Sequence, residues 1–266
     1  ILRSKNENKT GKENLKLIPD ETIKLLTERS EGNPLFIQEW IRMFGDRYTS
    51  EELRQIKSSR LRSERENIEI PGSINLLINK RLERLSGNEL SILQYASVIG
   101  NEFTDTLLKK TAKLLSDETD IGGVLKKLTE NKFIRKSDKT FGSDRYYEFH
   151  HDVIREVVYE TIPEDNRKII HKTAGEAIEN IFHGRIEQYY YVLCEHFEKG
   201  GAEEKMTEYL EKAGDSYTEN FENEKAIEYY DKLLKLEKDK SKKFEVLFKK
   251  LNIMKLIGQW NESASI

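Results

Sequence analysis

From Pro19 onward the apolar positions fall at helical spacing. Ile23, Leu25 and Leu26 lead to Gly32, a residue free to take the left-handed conformation that ends helices. Asn33 and Pro34 then read as the cap and first residue of a second helix, continued by Leu35, Phe36, Ile37, Trp40 and Ile41. The Gly-Asn-Pro run therefore predicts a sharp corner between two helices. Residues 45–70 are charge-rich with few apolar anchors, which predicts a weak helix and then a linker closing at Pro71-Gly72.

Beyond Pro71 the pattern tightens. Ile74, Ile78, Leu82 and Leu85 mark one helix, and Ser86 caps another carrying Leu90, Leu93, Ala96 and Ile99. Ile92 and Tyr95 make this second helix apolar on nearly every side, so it is expected to be central. Phe103 to Leu115 predicts a third helix, and Ile121, Val124, Leu125 and Leu128 a fourth. The period then changes. Phe133 to Asp138 and Arg145 to His150 look extended, joined by a loop from Lys139 to Asp144 with a glycine at its turn. Helices followed by a single β-hairpin define a winged helix.

The remainder is helical. Ile154, Val157, Val158 and Ile162 share one face, Pro163 begins the next helix, and Ile170, Ala174, Ile178 and Ile181 continue it. A longer period follows: Gly214, Tyr217, Ala226, Tyr230 and Leu233 stand at the tetratricopeptide spacing of small and large residues, which lets two antiparallel helices interlock. A second copy runs from Leu247 and Leu251 to Gly258, Trp260 and Ser263, stretched by a lysine-rich loop from Glu237 to Lys243. The expected fold class is mainly α: a winged-helix domain with one β-hairpin, then a tetratricopeptide-like α-superhelix. The expected divisions are a flexible segment over 1–18, a helical corner and linker over 19–72, the winged helix over 73–162, and repeats over 163–266. The start without methionine and the stop inside a repeat suggest a piece of a longer polypeptide.

Composition narrows the chemistry. Across 266 residues, 45 basic against 48 acidic side chains leave a formal charge of −3, so nothing draws the whole chain to nucleic acid or an acidic membrane. No apolar run is long enough to span a bilayer. Cys194, the single cysteine, cannot form an internal disulfide, and its neighbours Tyr190 to Leu193 predict a buried structural thiol. A reducing, cytoplasmic setting is the expectation.

Catalytic patterns are missing. There is no G-x-x-x-x-G-K-[ST] phosphate loop, and Thr10-Gly11-Lys12-Glu13 lacks both the first glycine and the magnesium-binding hydroxyl. No serine sits in a G-x-S-x-G turn. His150 and His151, if on a strand, would point to opposite faces, and His171, His183 and His196 stand at no recognised ligand spacing, so no metal site is expected. A DNA-reading helix would run from Asp117 to Glu130, but Asp117, Glu118 and Asp120 would meet phosphate with negative charge, and Gly122 and Gly123 reach no base edge. Residues 73–151 carry 13 basic and 11 acidic side chains, which is no basic footprint.

The order of motifs resembles a known family. E-R-S-E-G-N-P-L-F-I-Q-E-W, I-P-G-S-I-N-L-L-I-N-K-R-L-E-R-L-S, L-Q-Y-A-S-V-I-G-N-E-F, Y-E-F-H-H-D-V-I-R-E-V-V-Y and R-K-I-I-H, followed by repeats, are similar to the C-terminal half of STAND signal-transducing ATPases of the AAA/NB-ARC-like class. The nearest in pattern are bacterial and archaeal predicted ATPases linked to cyclase, kinase or LuxR-type output domains. The resemblance covers residues 17–266. It implies that a P-loop domain N-terminal to this segment binds ATP or ADP with Mg, that residues 19–72 are the remnant of its helical lid, and that the winged helix locks an ADP-bound resting state. Gly32 and Pro34 match the family's G-x-P corner, where the proline packs beside adenine; a plain helix-helix corner is the alternative. His150-His151-Asp152 matches the family's M-H-D motif, whose histidine approaches the ADP β-phosphate. His150 stands where methionine is common, so either imidazole could face the nucleotide, with alignment favouring His151. Asp152 is expected to cap the following helix; a histidine that merely packs at this junction is the alternative.

The chain is therefore expected to be regulatory and not itself an enzyme. Its expected partners are its own N-terminal ATPase domain and a protein or peptide on the repeat groove, with neither nucleic acid nor membrane. The rival readings are a DNA-binding winged-helix regulator and a tetratricopeptide scaffold that never meets nucleotide.

Overall fold

Helix α1 (Asp20–Ser30) stops where the backbone turns left-handed, with φ of 48° at Glu31 and 79° at Gly32. The computed structural model describes residues 18, 20–47, 70–141 and 144–258. Asn33 lies at the corner: its N–H donates to the Ser30 carbonyl at 2.7 Å and its side-chain oxygen accepts from Leu35 N at 3.0 Å. Pro34 opens α2 (Pro34–Arg47), where its missing N–H costs nothing. Helix α3 (Ile74–Leu82) is capped by Ser73, whose Oγ accepts from Leu76 N at 3.3 Å.

The chain divides into two compact units, residues 1–90 and 91–266. In the first, Leu26 of α1, Phe36, Trp40 and Met43 of α2, and Leu77 of α3 form a core with Ile18 and Ile70. Glu39 on α2 is fully buried and accepts from Arg81 on α3 and from Arg42. Burial pulls the Arg81 guanidinium down to about 10, still charged at neutral pH. Burying this ion pair, rather than its charge alone, is what makes the two helices mutually dependent.

The division falls inside α4 (Gly87–Ile99). Its start is a capping box in which Glu89 N donates to Ser86 Oγ at 3.3 Å and Ser86 N donates to the Glu89 carboxylate at 2.9 Å.

In the second unit, strand β1 (Glu102–Thr104), helices α5 (Asp105–Leu114) and α6 (Ile121–Glu130), and strands β2 (Ile134–Phe141) and β3 (Asp144–Phe149) make the winged helix. The three strands are antiparallel in the order β1-β3-β2. This corrects two expectations. Phe103 belongs to a strand, opposite Tyr147 with the rings stacked at 6.0 Å, and the helix begins only after Thr104, whose hydroxyl accepts from Leu107 N at 3.1 Å. The hairpin is also longer than its polarity suggested: Thr140 and Phe141 pair with Arg145 and Asp144 past an irregularity that begins after Lys136. Leu107, Leu108, Val124, Leu125, Leu128, Ile134 and Phe149 are buried.

Helices α7 (Asp152–Glu160) and α8 (Glu164–Phe182) lead through a 3₁₀ segment (His183–Tyr189) to α9 (Tyr190–Lys199), α10 (Glu203–Glu219), α11 (Asn223–Leu236) and α12 (Lys240–Leu256). Each of α8 to α12 packs on the next through a core that includes Ile178, Leu193, Phe197, Leu210, Ala226, Tyr230 and Ile253. The chain is thus mainly helical, with one small antiparallel sheet between helices. No described helix is long and apolar enough to cross a membrane. Residues 1–17, Pro19, residues 48–69, Gly142 of the hairpin turn, and the repeat positions Trp260 and Ser263 lie outside the described residues.

Candidate functional site

Strand β3 ends at Phe149; the His150 N–H still donates in register to the Phe133 carbonyl at 2.9 Å, just before β2, and the chain bends over His150 and His151. His151 has extended φ and ψ of −150° and 144°, and α7 begins at the next residue. Being in this bend and not on the strand, the two imidazoles do not point to opposite faces as expected; their ring centres are 4.7 Å apart, tilted by 48°. Both residues are half-buried. Asp152 is not the cap. It is the first residue of α7, exposed, with its charge at the positive end of the helix, while His151 occupies the capping position without a side-chain bond to the first turn.

Gly32 and Pro34 are exposed and belong to the other compact unit. Among the described residues no group of three His, Cys, Asp or Glu side chains could hold a metal ion.

In the DNA-reading position, α6 exposes Gly122, Gly123, Lys126, Lys127 and Glu130. Asp117 lies before the helix, half-buried, accepting from Thr119 N at 3.0 Å, and Asp120 is the cap, accepting from Gly123 N at 3.3 Å. A Cβ on Gly123 would come within 2.6 Å of that carboxylate, so this glycine serves the cap and not a base.

The repeat positions lie on α10 and α11, which pack against each other. A Cβ on Gly214 would lie 2.6 Å from the Tyr230 ring, so the absent side chain is what lets α11 close on α10. Ala226 and Leu233 are buried in the same seam, and Tyr217 lies against Tyr229 with ring centres 5.3 Å apart. The Tyr230 hydroxyl donates to Asp215 at 2.7 Å; burial first, then that carboxylate, pushes the phenol up to about 12. Lys249 of α12 reaches Glu211 at 2.8 Å and Asp215 at 2.8 Å, tying the following helix to α10. Burial pushes the Cys194 thiol up to about 12, leaving it protonated at neutral pH.

Two features escaped the sequence. Gly175 on α8 repeats the Gly214 device, since a Cβ there would meet the Phe197 ring at 2.8 Å. The second is a buried polar chain. Tyr159 Oη lies 2.9 Å from His171 Nε2, and His171 Nδ1 lies 3.0 Å from His196 Nδ1. One Nδ1 donates to the other, which the neutral imidazole allows because it carries one N–H and one bare nitrogen. Burial first, then like-signed neighbours, pulls His171 down to about 3; burial pulls His196 down to about 4. With ring centres 5.2 Å apart the imidazoles stand nearly end to end, the geometry of a hydrogen bond and not of two lone pairs converging on an ion.

No family model and no curated protein sequence matches the chain. Among solved structures it is similar to a signal transduction ATPase with numerous domains, a STAND protein with a tetratricopeptide repeat sensor, from Pyrococcus horikoshii. The identity is 16% and the TM-score 0.37 over 93% of this chain. The chain spans 46% of that protein's length.

Proposed function

We propose that this chain is the regulatory and partner-binding region of a STAND-type signal-transducing ATPase. In this reading the winged helix closes over an ADP held with Mg by a P-loop domain N-terminal to the segment, and the tetratricopeptide-like helices bind a protein or peptide whose docking releases it. The chain's own residues perform no catalysis. The observation that carries the reading is the imidazole pair at the base of the wing: His150 and His151 adjoin at 4.7 Å, half-buried, at the N-terminus of α7. An imidazole N–H there can donate to a phosphate oxygen, and the helix end adds positive potential in the same place. Release follows if the partner prefers the open arrangement, because a ligand shifts an equilibrium only by its differential affinity.

The test is ADP retention by the full-length protein. His151→Ala should speed ADP release at least tenfold and raise basal output, while leaving partner binding to the isolated chain unchanged. ADP release at the parent's rate would show that His151 only packs and that the repeat region works as a scaffold without nucleotide coupling.

A further inference from the structure

A cavity of about 400 Å³ opens above the buried histidine chain, walled by the end of α4, by α7 and by α9. That is within the usual range for small-molecule sites. His171 and His196, each 4% exposed, form part of its lining. One wall is apolar, built from Val98, Ile99 and Val192.

The charges around it are unbalanced in a particular way. Arg155, half-buried on α7 and lining the cavity, donates from Nη1 to the Ser97 carbonyl at 3.0 Å. Arg167, half-buried on α8, donates from Nε to the Ile162 carbonyl at 2.8 Å and lies 5.1 Å from the centre of the Tyr159 ring. Among the described residues neither guanidinium has a carboxylate in ion-pair contact. The carboxylates on the cavity are otherwise engaged: Glu195 holds Lys199 at 2.5 Å, and Glu156 and Glu160 are exposed to solvent, where their fields are screened. The carbonyl dipoles that these half-buried guanidiniums meet do not neutralise a full charge, so each keeps positive potential that an anion can meet.

We propose that this cavity binds a small organic anion, a carboxylate with an apolar body, whose charge meets Arg155 and whose body lies against Val98, Ile99 and Val192. The electrostatics agree with the geometry. Beyond burial, His196, Lys199, Arg167 and Arg155 disfavour a charged His171, whereas Glu195 favours one on His196, so the positive field lies on the His171 side of the floor, toward Arg155. A bound carboxylate would offset that field. It would also bridge α7, the first helix after the wing, to α9 of the repeats, which gives a metabolite a handle on the seam between them. The site does not depend on the nucleotide reading above, and its test needs only the present chain.

Sodium benzoate, inorganic phosphate and benzylammonium chloride serve as probes, titrated at constant ionic strength. Binding is followed by calorimetry and by the imidazole ¹⁵N resonances of His171 and His196. Benzoate is expected to saturate at millimolar concentration and to move the His171 resonances, phosphate to bind at least tenfold more weakly, and benzylammonium not at all. Arg155→Gln should weaken benzoate at least tenfold, and Arg155→Lys, which keeps the charge, should retain most of it. If Arg155→Gln fails to fold, the Arg155→Lys protein and the probe ranking decide the matter. Benzoate binding unaltered by Arg155→Gln, phosphate or benzylammonium binding as well as benzoate, or a parent chain silent to benzoate would each overturn the proposal.

Discussion

His171 and His196, twenty-five positions apart, meet Nδ1 to Nδ1 at 3.0 Å, and only one of the two nitrogens can carry a proton. A proton added to the accepting ring would set two N–H groups against each other. Burial opposes a charge on either ring; Lys199, Arg167 and Arg155 add to that at His171, while at His196 Glu195 works against it and Lys199 with it.

Stability should therefore depend on pH. Both histidines have folded pKa values depressed below the ordinary 6.5, to about 3 and about 4, so between those limits the unfolded chain binds protons that the folded chain does not. The contribution is complete above pH 6.5 and is lost as pH falls toward 4. Between pH 7.5 and 5.5 the pair should cost about 2.7 kcal/mol of unfolding free energy, about 1.4 for each histidine. Urea denaturation at both pH values measures it, and His196→Gln should flatten the slope; a parent protein with no slope over this window would refute the neutral pair.

Gly214→Ala tests the repeat interlock. Alanine is the better helix former, yet its Cβ would press on a Tyr230 ring that is 1% exposed and anchored through its hydroxyl to Asp215. The expected result is a loss of about 1–3 kcal/mol, the usual cost of overpacking. Tyr230→Leu in the same chain should recover part of it. Gly175→Ala should behave alike against Phe197, whereas gain of stability at either site would mean that the aromatic ring yields freely.

Arg81→Met should be among the most damaging changes in the first unit. Among the described residues it leaves the fully buried Glu39 with the partly exposed Arg42 as its remaining counter-charge. The expected loss is about 3–5 kcal/mol, and Glu39→Leu added to Arg81→Met should restore most of it, since a well-packed apolar pair avoids the desolvation of both ions. Thermal unfolding of the three variants measures the ordering.

His151→Ser separates stability from function. Serine at the capping position would accept a bond from the first turn of α7, which His151 does not, and should stabilise the chain by about 0.5–1 kcal/mol. The same substitution should speed ADP release from the full-length protein. A variant that is more stable and equally retentive would place His151 among packing residues.

How much of this was legible depends on the range of each interaction. The Gly32-Asn33-Pro34 corner, the Ser86–Glu89 capping box and the Gly214–Tyr230 interlock rest on contacts within about one or two helices, and residue type at fixed spacing announces them. Strand β1 did not announce itself. Three residues carry no period, and Phe103 becomes a strand residue only because Tyr147 lies opposite it. The imidazoles of His150 and His151 adjoin because the chain bends after Phe149, which alternation along a strand could not reveal.

By itself, then, the sequence determined the helical periodicities, the hairpin and the repeat, because local spacing decides which face of each element is apolar. Only the tertiary structure decided that Tyr159, His171 and His196 form one neutral chain and that Arg155 lines a cavity beside it with no carboxylate among the described residues in ion-pair contact. Hydrogen bonds and fields across such distances along the chain depend on which helices pack together, and residue spacing along the chain does not specify that.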